Sequence, residues 1–534
     1  MKHIMSRRAI LVLAGMLAVF VYFHGLGDYG LLDPDEGRYA EIPREMLETG
    51  DFITPRLNYA LYFEKPPLHY WLTAGAFVMF GENEFAGRFF PVMAGLGCCV
   101  LAFVVARKVT GSRYAAGLAG VMLASSVLWY GTSRINITDM TLTFMFTAAM
   151  ASYYFWYVDG RRSMILAFYA FMSLAVLTKG LIGVVLPGGI ALLHLILTKN
   201  FRKIPGLFSP SAIVLFFVIV APYFIEVCRR NPDYFSFFFI REHFLRYTTT
   251  IHDRYEPAYF FVPIVIAGFI PWTGILWDAG RAVFGKCRLV DRSSGALLGL
   301  WFALPFVFFS MSGSKLIPYI LPCFVPLAVL GGASMSVLEG RALRRFIILT
   351  SAILIPVILA GFILPSAKDD PAYHAMVLPA IKLSVMLLVF VGLSFFVRRM
   401  NVPAMMGVVA LLAMLGASGA FQVEGKLLSH KESAAMIPRE ADDVIVYGNL
   451  MQGVSFYTKR RTITAECLNE LEFGADHDIE RGKWFISDEA LRELWNSGRK
   501  VAVLSRRKDE GLREILGEPV REWTTSADIV MMNF

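Results

Sequence analysis

One stretch of the chain, residues 32–67, concentrates the side chains that could carry out chemistry. It follows the first strongly apolar segment, opens with LDPDEGRYAEIPREM and closes with YFEKPP. Charged residues are dense here, although only 18% of the whole chain is charged. A loop of this composition beside a membrane is either a solvated lid or an active site. The charged residues include Asp35, Glu36, Arg38, Glu41, Arg44, Glu45, Asp51, Arg56, Glu64 and Lys65.

This mixture suits the transfer of a glycosyl group from a lipid-phosphate donor. The leaving phosphate needs cations, and Lys65 is the best candidate, with Lys315 or Arg246 assisting through charge-assisted hydrogen bonds. The glycosyl centre develops positive charge, which nearby carboxylates stabilise. Asp35 could accept a proton from a hydroxyl acceptor or orient a phosphate acceptor. Aromatic rings that could stack on a sugar or a polyprenyl chain are Tyr62, Trp71 and Tyr319.

The start of this stretch has the pattern of a helix N-terminus. Asp33 is predicted to be the N-cap, Pro34 the first helical residue, and Glu36 follows three residues after the cap. Asp35 then lies in the first turn, at the positive end of the helix dipole. Pro43 is expected to kink or restart the helix, and Gly50 to end it. The alternative is that these acidic residues only cap the helix and interact favourably with its dipole.

Two side chains have the chemistry of ligands for a divalent metal ion. Glu64 and His243 could both bind a divalent ion, but two ligands so far apart in sequence make no recognisable spacing. A histidine that only makes hydrogen bonds is the alternative.

Composition indicates a polytopic membrane protein. The chain has 534 residues, of which 56% are hydrophobic, and a mean hydropathy of +0.54. Apolar runs of about 20 residues predict about thirteen transmembrane helices. The net charge of +8 indicates basic cytoplasmic loops rather than nucleic-acid binding, and no glycine-rich motif indicates a nucleotide site. The predicted spans lie near residues 9–26, 85–106, 114–131, 138–158, 164–179, 181–198, 208–228, 259–279, 295–311, 315–335, 345–365, 376–397 and 402–421.

Every second connection between these spans is short and rich in Lys and Arg, which predicts a cytoplasmic N-terminus. The other connections then share the outer compartment. They include a first loop at 27–84, a long loop at 229–258 and the segment at 312–319. Asp139, Lys179 and Lys315 sit at the very ends of apolar helices, where a charge is costly unless it is paired, snorkelling or functional.

Residues 1–424 are therefore predicted to form a membrane domain and residues 425–534 a domain outside the membrane. The second part contains short strand-like runs, DDVIVYG, KVAVLS and DIVMMN, and a helix-like run ending at Gly498. Alternation of strands and helices predicts a small α/β domain. Its sequence indicates no catalytic role, and regulation, acceptor guidance and stability stay open.

The motifs of the first loop resemble those of bacterial GT-C glycosyltransferases. DPDEGRYAEIPREM, GDFITPR and YFEKPPLHYW are most similar to the lipid A 4-amino-4-deoxy-L-arabinose transferase family, which is related to the protein O-mannosyltransferases. The similarity extends to Asp139, to HFLR and to SKLIPYILP, and so covers most of the membrane part. It implies a GT-C fold of about thirteen helices in the bacterial inner membrane, followed by a periplasmic α/β domain.

The resemblance also implies roles for residues. Asp35 matches the catalytic carboxylate of the family, Asp139 a second carboxylate, and Lys65 the lysine that holds the carrier phosphate. Glu64 and His243 match residues associated with a divalent metal, zinc or a similar ion. Further residues implied to line the substrate cavity are Arg38, Tyr39, Tyr62 and Tyr319.

The resemblance implies that the protein moves a sugar, above all 4-amino-4-deoxy-L-arabinose, from an undecaprenyl-phosphate carrier to a phosphate of lipid A. The implied reaction is an inverting single displacement. The motifs are shared widely among GT-C relatives, so the sugar and the acceptor stay open. The acceptor could be lipid A, a protein hydroxyl or another glycan, with membrane lipids as surroundings. A transporter or flippase for a lipid-linked sugar is the alternative of another class; it would need paired repeats, broken helices and charges near the middle of the bilayer.

Overall fold

The computed structural model describes residues 6–245, 256–363, 381–382, 384–389, 401–507 and 511–534, without the side chains of 242–245, 357–358 and 360–363. Helices dominate the chain as far as residue 428. The first nine are α1 (Arg7–Phe23), α2 (Asp35–Thr49), α3 (Leu68–Phe80), α4 (Glu84–Thr110), α5 (Arg113–Ala124), α6 (Val127–Ser133), α7 (Thr138–Asp159), α8 (Arg162–Lys179) and α9 (Ile182–Leu197). Later helices span Ile204–Leu207, Pro210–Arg230, Phe261–Gly268, Leu276–Val283, Arg292–Met311, Phe324–Met335, Gly340–Ile363, Val402–Ala417 and Gly419–Leu428. A π-helix spans Ser236–Leu245 and a 3-10 helix spans Ile317–Cys323.

Within these described ranges, six helices are long and apolar enough to cross a membrane, or eight if each of two bent helix pairs is one span. Thirteen spans therefore stay a prediction, and most of the one near 376–397 lies outside the described residues. One bent pair, α5 and α6, turns by 62°. The hydroxyls of Ser125 and Ser126 there bond back to the carbonyls of Val121 and Met122, a bonding pattern that bends helices.

The first loop is folded rather than open. Its helix α2 begins at Asp35 and continues through Pro43 without restarting. As predicted, it ends at Gly50, whose φ of 69° suits glycine. The prediction that Asp33 caps this helix is wrong, because its carboxylate instead accepts hydrogen bonds from the backbone N–H of Gly453, at 2.9 and 3.1 Å. The loop also contains a short hairpin, β1 (Arg56–Leu57) and β2 (Ala60–Leu61), and the helix α3, which no predicted span covered.

The C-terminal region forms a mixed sheet of six strands in the order β5-β4-β3-β6-β8-β7. Strands β3, β4, β5 and β6 are parallel, whereas β8 is antiparallel to both β6 and β7. This confirms the predicted α/β domain. The strands are β3 (Asp443–Tyr447), β4 (Ile463–Ala465), β5 (Phe485–Ile486), β6 (Val501–Arg506), β7 (Arg521–Thr524) and β8 (Asp528–Met532). Its helices are Lys431–Ala435, Gln452–Thr458, Glu472–Asp476, Arg481–Trp484, Asp488–Trp495 and Leu512–Leu516.

The C-terminal domain packs on the first loop through hydrogen bonds between residues about 400 positions apart. Asn58, at the tip of the hairpin, accepts from the Thr462 backbone N–H at 2.9 Å and donates to the Thr462 carbonyl at 2.8 Å. Tyr457 donates to Glu84 at 3.0 Å and accepts from the N–H of Leu31 at 2.8 Å. The first loop therefore lies between the helix bundle and the C-terminal sheet and contacts both.

Candidate functional site

A cavity of about 680 Å³ lies where the start of α2, the start of α7 and the end of α8 meet the C-terminal domain. The segment before residue 320 and the loops after three parallel strands complete its wall. Acidic and basic side chains are equally frequent on it. They are Asp35, Glu64, Asp139, Glu470 and Glu472, and Arg38, Lys65, Lys179, Arg241 and Arg506.

Helix α2 brings Asp35 and Arg38 to the cavity from adjacent turns. The Asp35 side chain is 58% exposed and lies 3.4 Å from the guanidinium of Arg38. The same guanidinium lies 3.2 Å from the carboxylate of Glu470, and it donates to the hydroxyl of Tyr62 at 3.2 Å. Asp35 is thus the accessible carboxylate of this group, while Arg38 is fixed behind it.

A fully buried ion pair beneath α2 sets the position of that helix. Glu36, the neighbour of Asp35, accepts from Arg88 of α4 at 2.9 and 2.6 Å. It also accepts from the backbone N–H groups of Leu32 at 2.8 Å and Asn136 at 2.7 Å. The remaining Arg88 donors bond the carbonyls at 26, 29 and 30. Because Asn136 lies just before α7, the carboxylate of Glu36 connects α2, which carries Asp35, to α7, which carries Asp139.

Lys65 reaches the cavity from the FEKP turn that precedes α3. Its ammonium lies 3.5 Å from the carboxylate of Glu64 and donates to the Glu64 carbonyl at 3.1 Å. Both side chains are mostly buried, at 12% and 13% exposed. Pro66 and Pro67 follow directly and restrict the backbone of this turn. A lysine on a short rigid turn at a cavity wall can hold an anionic oxygen.

Asp139, Lys179 and Tyr319 form the opposite part of the wall. Asp139 lies in the first turn of α7 and accepts from the Lys179 ammonium at 2.6 Å. The same ammonium sits 4.3 Å above the ring of Tyr319, a favourable cation–π distance. The two charges at helix ends are therefore paired, as their position in apolar helices requires.

The C-terminal domain contributes residues from the carboxyl ends of three parallel strands. Asn449 follows β3, Glu470 follows β4 and Arg506 ends β6. Proteins with parallel sheets commonly bind ligands at the carboxyl edge of the sheet. This rule, applied to the predicted strands, is the signal by which these three residues could be found from the sequence. Burial raises the pKa of the Glu470 carboxyl above its ordinary value, while the charge of Arg38 lowers it. The C-terminal domain therefore completes the wall of the cavity, although its sequence indicates no catalytic role.

The other predicted site residues are distributed as follows. Tyr39 lines the cavity, whereas Tyr62 lies behind its wall and donates to Glu470 at 3.4 Å. Lys315 lies outside the cavity wall, because its buried ammonium donates to the carbonyls of Glu256 at 2.6 Å and Ser312 at 2.7 Å. Lys179 is the lysine found at the wall instead. Arg246 lies outside the described residues, and so does the side chain of His243.

Glu470 should matter for the glycosyl transfer that the sequence predicts, because it holds Arg38 and Tyr62 in place beside Asp35. We expect Glu470→Gln to lower the rate of transfer about tenfold or more through displacement of these groups. The assay is glycosyl transfer by the purified full chain over a range of donor concentrations, with thermal unfolding as a check of folding. The control is Glu514→Gln, an exposed change in the same domain. Unchanged kinetics for Glu470→Gln would contradict this role.

A buried histidine joins the entry of α2 to the C-terminal domain. His430 lies between two carboxylates, 3.0 Å from Asp33 and 2.8 Å from Asp528, and all three side chains are fully buried. Burial alone would lower the pKa of His430, but the two carboxylates outweigh it and raise the pKa to about 9. The Ser433 hydroxyl also donates to Asp528, at 2.6 Å. The protonated histidine therefore cancels part of a buried negative charge.

This arrangement predicts a pH-dependent stability. The pKa of His430 is higher in the folded protein than in the unfolded chain. The contribution of protonated His430 to the free energy of unfolding is therefore complete below about pH 6.5 and is lost as the pH rises through about 9. The contribution is on the order of 3 kcal/mol. The midpoint of thermal unfolding should fall between pH 6.5 and 9.5, and His430→Gln should flatten that part of the curve. An equal fall in the variant would show that another group titrates.

Two family models match this chain. Residues 5–238 match the dolichyl-phosphate-mannose-protein mannosyltransferase model, and residues 434–531 match the aminoarabinose transferase C-terminal domain. The fold, the cavity and these two matches define a membrane protein of the GT-C glycosyltransferase class.

Within that class, the chain is similar to the aminoarabinose transferases. It is similar to undecaprenyl phosphate-alpha-4-amino-4-deoxy-L-arabinose arabinosyl transferase 1 of Proteus mirabilis, with 35% identity over 64% of this chain and 62% of the relative. The second such transferase of Pseudomonas fluorescens is 32% identical, again over 64% and 62%. The alignments thus span under two thirds of these curated relatives. The crystal structure of ArnT from Cupriavidus metallidurans bound to undecaprenyl phosphate superposes with a TM-score of 0.88, at 28% identity and over 98% of both chains. The predicted resemblance to the aminoarabinose transferases and the predicted GT-C fold are confirmed.

Proposed function

We propose that this protein transfers 4-amino-4-deoxy-L-arabinose from undecaprenyl phosphate to a phosphate of lipid A. The observation that carries the proposal is the convergence of Asp35, Lys65, Asp139 and Tyr319 on one cavity at the ends of apolar helices. The named activity of the curated relatives and the undecaprenyl phosphate of the ArnT crystal structure support it. We propose the bacterial inner membrane as the location, with the N-terminus cytoplasmic and the cavity and C-terminal domain periplasmic.

The reaction would be a single displacement with inversion. A phosphate oxygen of lipid A attacks the anomeric carbon, the bond from that carbon to the carrier phosphate breaks, and the carrier phosphate takes the electron pair. Lys65 would stabilise the phosphate as it leaves. The acceptor phosphate is already anionic, so Asp35 would orient the reactants and stabilise positive charge at the sugar rather than remove a proton. Asp139, fixed by Lys179, would shape the opposite wall.

Two alternatives differ in acceptor or in class. The model matched by residues 5–238 belongs to protein mannosyltransferases, which would favour a protein hydroxyl as acceptor. The match of residues 434–531 to the aminoarabinose transferase C-terminal domain favours lipid A instead, since this domain supplies part of the cavity wall. A transporter would hold its substrate near the middle of the membrane, whereas this cavity lies at helix ends beneath the C-terminal domain.

We also propose one divalent ion, zinc or a similar metal, bound by Glu64 and His243. Glu64 lines the cavity and offers one carboxylate, while the side chain at 243 lies outside the described residues. Among the described residues, no group of three or more His, Cys, Asp or Glu side chains could hold a metal. No step of the reaction above therefore passes through the ion. Metal analysis of the purified protein, with Glu64→Gln for comparison, tests this site.

The function is tested by mass analysis of lipid A. The gene is expressed in Gram-negative cells that lack their own aminoarabinose transferase but still make the lipid-linked donor. We expect lipid A to gain the mass of one pentosamine on a phosphate. Cells that carry Asp35→Asn, with equal protein in the membrane, should show no gain. Unmodified lipid A in cells with the wild-type protein, or sugar found on protein instead, would overturn the proposed acceptor.

A further inference from the structure

A second cavity lies in a groove between α1, α4 and α5, at the end of the bundle opposite the catalytic cavity. Its volume is about 920 Å³. Helix α1 begins here at Arg7 and leads at its other end into the loop of Asp35. Helix α4 begins at Glu84, which bonds to the C-terminal domain through Tyr457, and ends here just after Arg107. The groove is therefore separate from the site described above. We call it the α1/α4 groove.

The floor of the α1/α4 groove is made of small residues, and its walls are apolar. The floor residues include Ala14, Gly15, Ala18, Gly117 and Gly120. A Cβ atom added at Gly15 would meet no other atom within 4 Å, so the space above this residue is open. The wall residues Val12, Val19 and Val100 are 62%, 51% and 62% exposed. The groove thus opens sideways to the surroundings of the helices, which in a membrane are lipid chains.

The length of the groove corresponds to one leaflet. Its lining on α1 runs from Arg7 to Val19, and twelve helical steps cover about 18 Å. Half of the hydrocarbon core of a bilayer is about 15 Å. An acyl chain lying along α1 from the arginine end would therefore fit within the groove.

All charged side chains that line the α1/α4 groove are positive, and they lie at one end of it. Arg7, Arg8, Arg107 and Arg113 line it, and none of its lining residues is acidic. Within the described part of the chain, none of the four arginines forms a salt bridge. The neighbouring Lys108, by contrast, pairs with Asp159 at 2.6 Å. The guanidinium of Arg7 lies 5.2 Å from the ring centre of Tyr114, which fixes one wall of this end.

Basic residues are common at the cytoplasmic ends of spans, where they set orientation. Four arginines at one end of an apolar groove are more specific, because an apolar groove can hold an acyl chain and arginines can bind a phosphate. We propose that the α1/α4 groove binds one anionic diacyl phospholipid. Its phosphate lies among the four arginines, and one acyl chain lies over Gly15 between α1 and α4. This site is independent of the function proposed above.

Native mass spectrometry of the full chain in detergent, titrated with phosphatidylglycerol or phosphatidylethanolamine, tests the proposal. We expect one phosphatidylglycerol to bind about tenfold or more tightly than the zwitterionic lipid. The double variant Arg107→Gln/Arg113→Gln should weaken that binding about thirtyfold. The matched control is Arg161→Gln/Arg162→Gln, which removes the same charge at the same end of the bundle, beyond Asp159. Equal binding of both lipids by the wild type, or an equal loss in the control, would overturn the proposal.

A second pair of variants tests the acyl chain. Gly15→Phe should fill the groove and weaken phosphatidylglycerol binding at least about tenfold through exclusion of the chain. Gly188→Phe is the control, because Gly188 of α9 also has open space above it but lies outside the groove. Unchanged binding by Gly15→Phe would disprove the acyl position. Competition by millimolar inorganic phosphate would show a simple anion site and overturn the lipid assignment.

Discussion

Transfer should be abolished by Lys65→Ala and by Asp35→Asn, while each variant still folds and inserts. Lys65 is one of two lysines that line the cavity, and we propose that it stabilises the leaving carrier phosphate. Loss of one charge that stabilises a leaving group lowers rates by about 10²–10³. Asp35 is 58% exposed, so removing its charge removes little of the packing. We expect a similar or larger loss of rate for Asp35→Asn. The measurement is transfer from a synthetic polyprenyl-phosphate donor by purified protein.

Two controls separate chemistry from folding. Lys65→Arg keeps the positive charge and should recover part of the activity, although a guanidinium is not equivalent to an ammonium. Lys459→Ala removes a lysine whose ion pair with Glu82 is partly exposed, and it should change neither activity nor stability noticeably. Thermal unfolding of each variant should match the wild type within a few degrees. Wild-type rates from Lys65→Ala or Asp35→Asn would refute these two assignments.

The largest effect on stability should come from Arg88→Ala. This change leaves the carboxylate of Glu36 fully buried without its cation, and breaking a buried pair in this way costs about 3–5 kcal/mol. It also frees the backbone carbonyls at 26, 29 and 30 from their donors. The unfolding midpoint of the purified protein in detergent should fall clearly, and transfer should fall with it because α2 loses its position.

The double variant Arg88→Met/Glu36→Gln is the informative comparison. It removes both charges together and keeps similar side-chain volumes, so it should recover a large part of the stability lost in Arg88→Ala. The neutral glutamine can still accept from the N–H of Asn136. If the double variant is as unstable as Arg88→Ala, the backbone carbonyls rather than the charge of Glu36 account for the loss.

Local sequence accounts for the position of most helices near the cavity. The predicted spans near 138–158, 164–179 and 181–198 correspond to α7, α8 and α9 within a few residues. The predicted spans near 114–131 and 259–279 are each broken into two helices bent by 62° and 113°. Hydropathy reports only that a run is apolar. The 62° bend lies where the Ser125 hydroxyl bonds the carbonyl four residues back and also accepts a hydrogen bond from Trp272, which lies 147 positions away in the sequence.

The first loop shows which site residues motifs can predict, and Lys315 shows where such a prediction fails. Its motifs indicated Asp35, Arg38, Tyr39 and Lys65, and all four line one cavity. The position of Lys315 at the end of an apolar helix also predicts a functional charge, but its ammonium bonds two backbone carbonyls. A charge at the end of an apolar helix must find a partner, and the sequence does not state whether that partner is a substrate or the backbone.

The sequence by itself determined an apolar helical protein, a separate α/β domain, and a charged first loop suited to a phosphate leaving group. These follow from run lengths, strand patterns and residues close together in the chain. Only the tertiary structure decided that Glu470 faces Arg38, that Glu36 pairs with Arg88, and that Asp33 meets His430. These contacts join residues 52 to 432 positions apart. Such pairs form because burial makes an unpaired charge costly, and burial is a property of the whole fold rather than of any segment.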